Sequence, residues 1–258
     1  MSNCYKNFPV IINYSDNTTY NIYANSVSLS EDINLENSSS LGIKGSKAVF
    51  NRSAPNGQVT VDSYLTNDLS IFNNLKESND QNITIQVGPY SCPSPCLLSS
   101  MSINIVAGEP ITVQRTFNYF GELTTGTAPP PTGDVINPVV AENINISGFS
   151  DAGMSDQISS IDWSFSQEYE QYNLLGETTP KVVFREGQVQ LSVQGEGLPS
   201  SLVSDSCLAP PKVYSISVSG CDGEDLGSLL ITGYLQARTS DIASEQDEVN
   251  SASIIQYL

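Results

Sequence analysis

Apolar and polar residues alternate along Ile161-Asp-Trp-Ser-Phe-Ser166, with Ile161, Trp163 and Phe165 on one side and Asp162, Ser164 and Ser166 on the other. A period of two puts successive side chains on opposite faces of an extended chain, so this stretch predicts a strand with one buried face. Continued at the same period, the polar side takes in Glu168 and Glu170. Lys181–Phe184 and Val189–Val193 predict two further strands, and Tyr214–Ser219 with Ser228–Gln236 predict a hairpin around the turn-rich stretch Gly220–Gly227. In the first half, Ile83–Val87, Met101–Val106 and Ile111–Tyr119 predict strands. There Val27 and Leu29 set Ser28, Ser30, Asp32, Asn34 and Glu36 on one polar face. One segment predicts a helix: Asp68 caps it, and Leu69, Phe72 and Leu75 share a side. Its counterpart, Leu198–Leu208, is shorter and runs into Pro210 and Pro211. The expected class is all-β, with at most one short helix in each half.

The halves also share phrases. LGIKGSKAVF, from Leu41 and Gly42 to Phe50, returns as LGETTPKVVF, from Leu175 and Gly176 to Phe184, 134 positions later. At the same offset Val27 and Leu29 meet Ile161 and Trp163, and Leu35 meets Tyr169. After a small length change, Gly57-Gln58-Val59-Thr60-Val61 meets Gly187-Gln188-Val189-Gln190-Leu191. Ile83–Val87 then resembles Tyr214–Val218, and Phe117–Phe120 resembles Ile255–Leu258. The matches keep their order, which predicts a tandem duplication. GELTTGTAPPPTGDVINP, Gly121–Pro138, separates the copies; its three consecutive prolines suit a semi-rigid extended spacer. The expected organisation is a first β domain over 1–120, a linker over 121–138 and a second β domain over 139–258. Two unlike folds, or one sheet continuous across the linker, count against that reading.

Composition narrows the chemistry. Acidic residues outnumber basic ones 28 to 10, a formal charge of −18, which argues against a phosphate-neutralising groove or docking on an anionic membrane. The bias is uneven: residues 127–258 hold 18 acids against four bases, residues 1–126 ten against six. The chain has no His, which removes the commonest general base and metal ligand. Glu168 and Glu170 are too ordinary a pair on a polar strand to argue for an enzyme. Cys4, Cys92, Cys96, Cys207 and Cys221 fit no zinc spacing closely. The acidic turns Asp222–Asp225 and Glu245–Glu248 lack the ligand spacing of a calcium loop. Neither catalytic residues nor a cofactor or metal is therefore expected. No apolar run reaches the roughly 18 residues of a spanning helix, and no export signal is read at the N-terminus, so neither membrane insertion nor secretion is expected.

A long first strand, a Leu-Gly pair, a Val-Phe strand, a Gln-Val strand, a short helix and a closing hairpin together resemble the tail tube proteins of bacteriophages. SIDWSFSQEYEQYNLLGE and Lys181–Phe184 carry the likeness best. In that family each domain is a small β-sandwich, six domains form a ring, and inner strands join into a barrel around the DNA channel. The resemblance implies a structural virion protein, assembled in the host cytoplasm. Three two-domain chains make a pseudo-sixfold ring, and rings stack into a tail tube. The implied partners are copies of itself and other tail proteins (tip or baseplate, terminator, sheath), with DNA passing through unbound. Asp32, Glu36, Asp162, Glu168 and Glu170 are then the expected channel-lining residues. The Leu41, Gly42, Phe50, Leu175, Gly176 and Phe184 set marks the repeat. The competing readings are a tail adaptor ring, a capsid decoration protein or a surface adhesin.

Overall fold

A computed structural model describes residues 8–32, 35–38, 48–51, 55–65, 83–127, 138–141, 143–147, 158–172, 174, 180–196, 211–219, 225–241 and 249–257. The first half contributes β1 (Phe8–Asn13), β2 (Thr19–Asp32), β3 (Leu35–Ser38), β4 (Ala48–Asn51), β5 (Asn56–Tyr64), β6 (Thr84–Val87), β7 (Tyr90–Cys92), β8 (Cys96–Val106) and β9 (Thr112–Phe120). Then follow β10 (Thr124–Thr125), β11 (Asn143–Ser147), β12 (Ile158–Tyr172), β13 (Lys181–Glu196), β14 (Lys212–Ser219), β15 (Asp225–Asp241) and β16 (Val249–Tyr257). The protein is all-β, and among the described residues there is no helix. The helix expected from Asp68, its counterpart at Leu198–Leu208, and Leu41, Gly42, Leu175 and Gly176 lie outside the described residues.

Alternation accounts for the strands. β5 buries Val59, Val61 and Ser63 and turns Gln58, Thr60 and Asp62 away; β12 buries Ile161, Trp163 and Phe165. The two short strands expected at Lys181–Phe184 and Val189–Val193 are one strand, β13, with a register break opposite β12 where Gln167 pairs Gly187 and Tyr169 pairs Phe184.

Neighbouring strands run β2-β5-β9-β8-β12-β13-β16-β15, all antiparallel. Two strands change partner midway. β2 pairs β1 through Thr19–Ala24 and β5 through Ala24–Asp32. β15 pairs β14 through Gly233 and β16 from Tyr234 onward. At that corner a Cβ on Gly233 would lie 2.4 Å from the Ile255 carbonyl oxygen, so only glycine lets the backbones approach. The sheet thus carries a second layer on its apolar side: β1, β6, β7 and β10 at one end, β14 and β11 at the other.

Two cores fill the space between layers. The first joins Val10, Ile12, Ile22, Val59, Val61, Ile85, Phe117 and Tyr119. The second joins Ile161, Trp163, Phe165, Leu191, Val193, Ile216, Val218 and Ile231 to Met101, Ile103, Ile105 and Val113 from the first half. Each such side chain contributes about 1.5–3 kcal/mol of burial. The expectation of two separately closed domains therefore meets a sheet that continues from β8 to β12 and a core drawn from both halves. By the criterion set from the sequence, that continuity counts against two independent domains.

Within the sheet, two four-strand runs follow one plan, β2-β5-β9-β8 and β12-β13-β16-β15. Their bulges agree. The first strand of each run slips against the second, between Ala24 and Ser26 in one and between Ile158 and Ser160 in the other. The fourth slips against the third, between Leu98 and Ser100 and between Leu235 and Ala237. Bulges insert one residue and re-aim a strand, so their position is a specific property of a sheet.

Candidate functional site

The second layer leaves one face of the main sheet bare, and short polar side chains cover it. One row crosses six strands, from Ser26 through Asp62, Gln114, Ser102 and Ser164 to Gln190. These positions lie out of phase with the buried Val61, Val113, Ile103 and Leu191, so the alternation that builds the cores also builds this face.

Two carboxylates on it are held by neutral donors. The Asn104 amide donates to Asp162 Oδ1 at 2.5 Å. Asp62 accepts from Gln114 at 2.7 Å and from the Ser26 hydroxyl at 2.6 Å. Asp32 lies in the Asn56 and Phe120 row, at the rim of a hollow of about 240 Å³ also lined by Ser30, Gln58, Asn118 and Tyr169. A second hollow of about 310 Å³ is lined by Asn25, Ser102, Asn104, Gln114 and Asp62, among others. No Lys or Arg among the described residues of β2, β5, β8, β9 or β12 lies on this face; Arg115 points the other way, buried beside Ser63 and over the Tyr20 ring.

Of the expected channel-lining residues, Asp32 and Asp162 share the bare face. Glu36 lies in β3 opposite Phe50 of β4, and nothing further is described of either side chain. Glu168 is exposed within the register break of β12. That break changes the phase beyond Ser166. Tyr169, not Glu168 or Glu170, takes up the bare face: its hydroxyl accepts from Asn118 at 2.9 Å, and its ring meets Phe120 edge-on at 5.9 Å. Those two rings, with Leu97, Val182 and Phe184, form an apolar patch at that end. Glu170 pairs with Arg185 at 2.5 Å and accepts from the Tyr172 hydroxyl; both interactions hold its carboxyl below the usual range. The polar stripe read from the sequence through Asp162, Glu168 and Glu170 is thus interrupted, because one extra residue in a strand inverts every later side chain. Asp62, which the sequence reading passed over, stands on the bare face one step beyond the Val59 and Val61 alternation.

Chemistry beyond surface polarity is sparse. Cys92 and Cys96 are buried free thiols; burial, then the Glu31 charge, pushes Cys92 up to about 12, and burial holds Cys96 well above its usual value. Among the described residues no three His, Cys, Asp or Glu side chains gather as metal ligands. Nor is any helix there long and apolar enough to cross a membrane.

The sheet's two ends complete the geometry. β2 has β5 on one side, and β1 on the other only as far as Ala24. β15 has β16 on one side from Tyr234, and β14 on the other only as far as Gly233. Among the described residues, Ser26–Asp32 of β2 and Tyr234–Asp241 of β15 are thus each open along one edge. In comparisons with known proteins, no family model matches the chain and no curated protein matches it.

Proposed function

We propose that the chain is a structural ring protein of a bacteriophage tail tube, with two copies of one four-strand unit fused in each chain. The observation that carries this reading is the pairing of β8 with β12. It joins the fourth strand of one unit to the first strand of the next, while among the described residues the same two kinds of edge stay open on β2 and β15. Such a head-to-tail joint, repeated between chains, closes a ring and removes the exposed edges.

Ring sizes separate on barrel geometry. Strands about 4.8 Å apart and tilted 35–45° give a backbone diameter of about 45–50 Å for six four-strand units. Inward side chains then leave roughly 35–40 Å, room for a hydrated duplex. Two chains would leave only about 20–25 Å on the same geometry. Three chains per ring are therefore favoured. The apolar side of the sheet already carries a second layer, so the bare face turns to the lumen and presents Asp32, Asp62 and Asp162. Each carboxylate repels a nearby phosphate by about 1 kcal/mol in water, less beyond a Debye length of about 8–10 Å. Many weak repulsions keep DNA from adhering without blocking its passage.

Native mass measurement with electron microscopy of the purified protein tests the proposal. The expected result is a closed three-chain unit and stacked tubes. Three-chain rings that never stack would make it an adaptor ring. A six-chain ring, or a monomer at high concentration, would overturn the three-chain tube.

A further inference from the structure

The internal joint is a template for the joint between chains, because the matching bulges fix which residues correspond. Aligning the slips in the first strands sets Ser26 on Ser160, hence Ser30 on Ser164 and Glu31 on Phe165. Aligning the slips in the fourth strands sets Ser100 on Ala237, hence Met101 on Arg238 and Asn104 on Asp241. In the internal joint Asp162 opposes Asn104, Ser164 opposes Ser102, and Phe165 opposes Met101.

We infer that β15 of one copy docks antiparallel on the β2 edge of the next in one register, placing Ser28 opposite Asp241, Ser30 opposite Thr239 and Glu31 opposite Arg238. This rests on the proposed ring and adds its seam. The occupant of the edge is a second copy of this chain, for two reasons. First, Val27 and Leu29 are only partly covered, whereas Ile161 and Trp163, which they match, are buried against β8. Second, the charges fit. Arg238 is the only basic residue of β15, and the transferred register sets it against Glu31, an exposed acid on the edge. The positions of Asp162 and Asn104, joined by a hydrogen bond inside the chain, are taken by Ser28 and Asp241 between chains. An apolar pair inside the chain, Phe165 with Met101, thus becomes an acid–base pair between chains. The chain–chain seam is accordingly the salt-sensitive one, and the internal seam is not.

Ser30→Cys with Thr239→Cys tests the register, in full-length protein with Cys4, Cys207 and Cys221 changed to Ser. Diamide oxidises the paired thiols, and denaturing electrophoresis without reductant reads the covalent size; native mass without oxidant is read in parallel. The expected result is covalent rings of three chains, with Ser28→Cys and Thr239→Cys, two residues out of register, linking poorly. Separately, E31R or R238E should raise the assembly midpoint concentration about tenfold at low salt, and the double reversal should restore it. Rings by mass without in-register linking would overturn the register and leave the ring standing. No ring at any concentration would overturn both. Linking only after deletion of residues 1–7 would mean that this segment holds the edge in the intact chain, and would overturn docking there. Charge reversals that change nothing would remove Glu31 and Arg238 from the seam.

Discussion

Adding one methyl group at Gly57 should destabilise the protein more than its size suggests. Gly57 pairs with Glu31 on one side and Tyr119 on the other. A Cβ there would lie 2.2 Å from the Ser30 carbonyl oxygen and 2.3 Å from Cζ and Oη of Tyr119. The Tyr119 side chain is fully buried, and its hydroxyl donates to that same Ser30 oxygen at 2.9 Å. In Gly57→Ala the ring has to swing away. Forcing atoms into a packed core costs about 1–3 kcal/mol, and stranding a buried hydroxyl costs about 1–3 kcal/mol more. Alanine's better strand propensity returns roughly 0.5–1 kcal/mol. The net loss should be about 2–4 kcal/mol, read as a lowered urea midpoint at unchanged slope by far-UV circular dichroism. Gly126→Ala is the control: a Cβ there meets nothing within 4 Å, and the change should stay within about 0.5 kcal/mol. Tyr119→Phe removes one of the crowding atoms, so the double variant should lose less than the sum of the singles. A Gly57→Ala protein within 0.5 kcal/mol of the parent would refute the account.

Ile103→Ala, a first-half substitution, should cost about 2–5 kcal/mol and move the unfolding midpoint reported by Trp163, the only tryptophan, because the two oppose each other across the joint; an unmoved Trp163 transition would show the cores to be uncoupled. Cys92 and Cys96 should resist a thiol reagent at pH 8 until the chain unfolds. Their raised folded values contribute stability that is full below the ordinary thiol range and is lost as pH climbs toward about 12 for Cys92, which denaturation in urea at pH 8 to 11 would detect. Glu170 works in the opposite sense: its lowered value contributes stability present above the usual carboxylate range and lost as pH falls through the folded value. E170Q should therefore flatten that part of the stability–pH curve, and a curve of unchanged shape would count against the Arg185 pairing.

Period-two alternation made the strands legible, since β5, β6, β9, β12, β14 and most of β8 fall where polar and apolar residues alternate. β1 escaped because Phe8-Pro-Val-Ile-Ile-Asn13 shows no alternation. The partners of each strand were not legible. Antiparallel pairing depends on turns and packing distant in sequence, so neither the β8 to β12 joint nor the shared core is written in any local pattern. The site failed in part for a local reason. Alternation predicts a face only while register holds, and the break between Gln167 and Tyr169 spends one residue that no composition signal marks. Asp62 was within reach, since one more step of the Val59 and Val61 alternation includes it.

β8 also sets a schedule for the growing chain. Its segment Ser100–Val106 waits for Ser160–Ser166, about 60 residues later in synthesis. At roughly 5–20 residues per second that is a delay of some 3–12 s. Through that interval Met101 and Ile103 have a neighbour on the β9 side only, and the other side is a template for any passing strand. Ser100, Ser102 and Asn104, spaced between them, keep the segment from being uniformly sticky. A longer spacer between the halves would lengthen the wait, and crowded synthesis would then favour capture of β8 by the β12 of another nascent chain, giving swapped dimers in place of single chains.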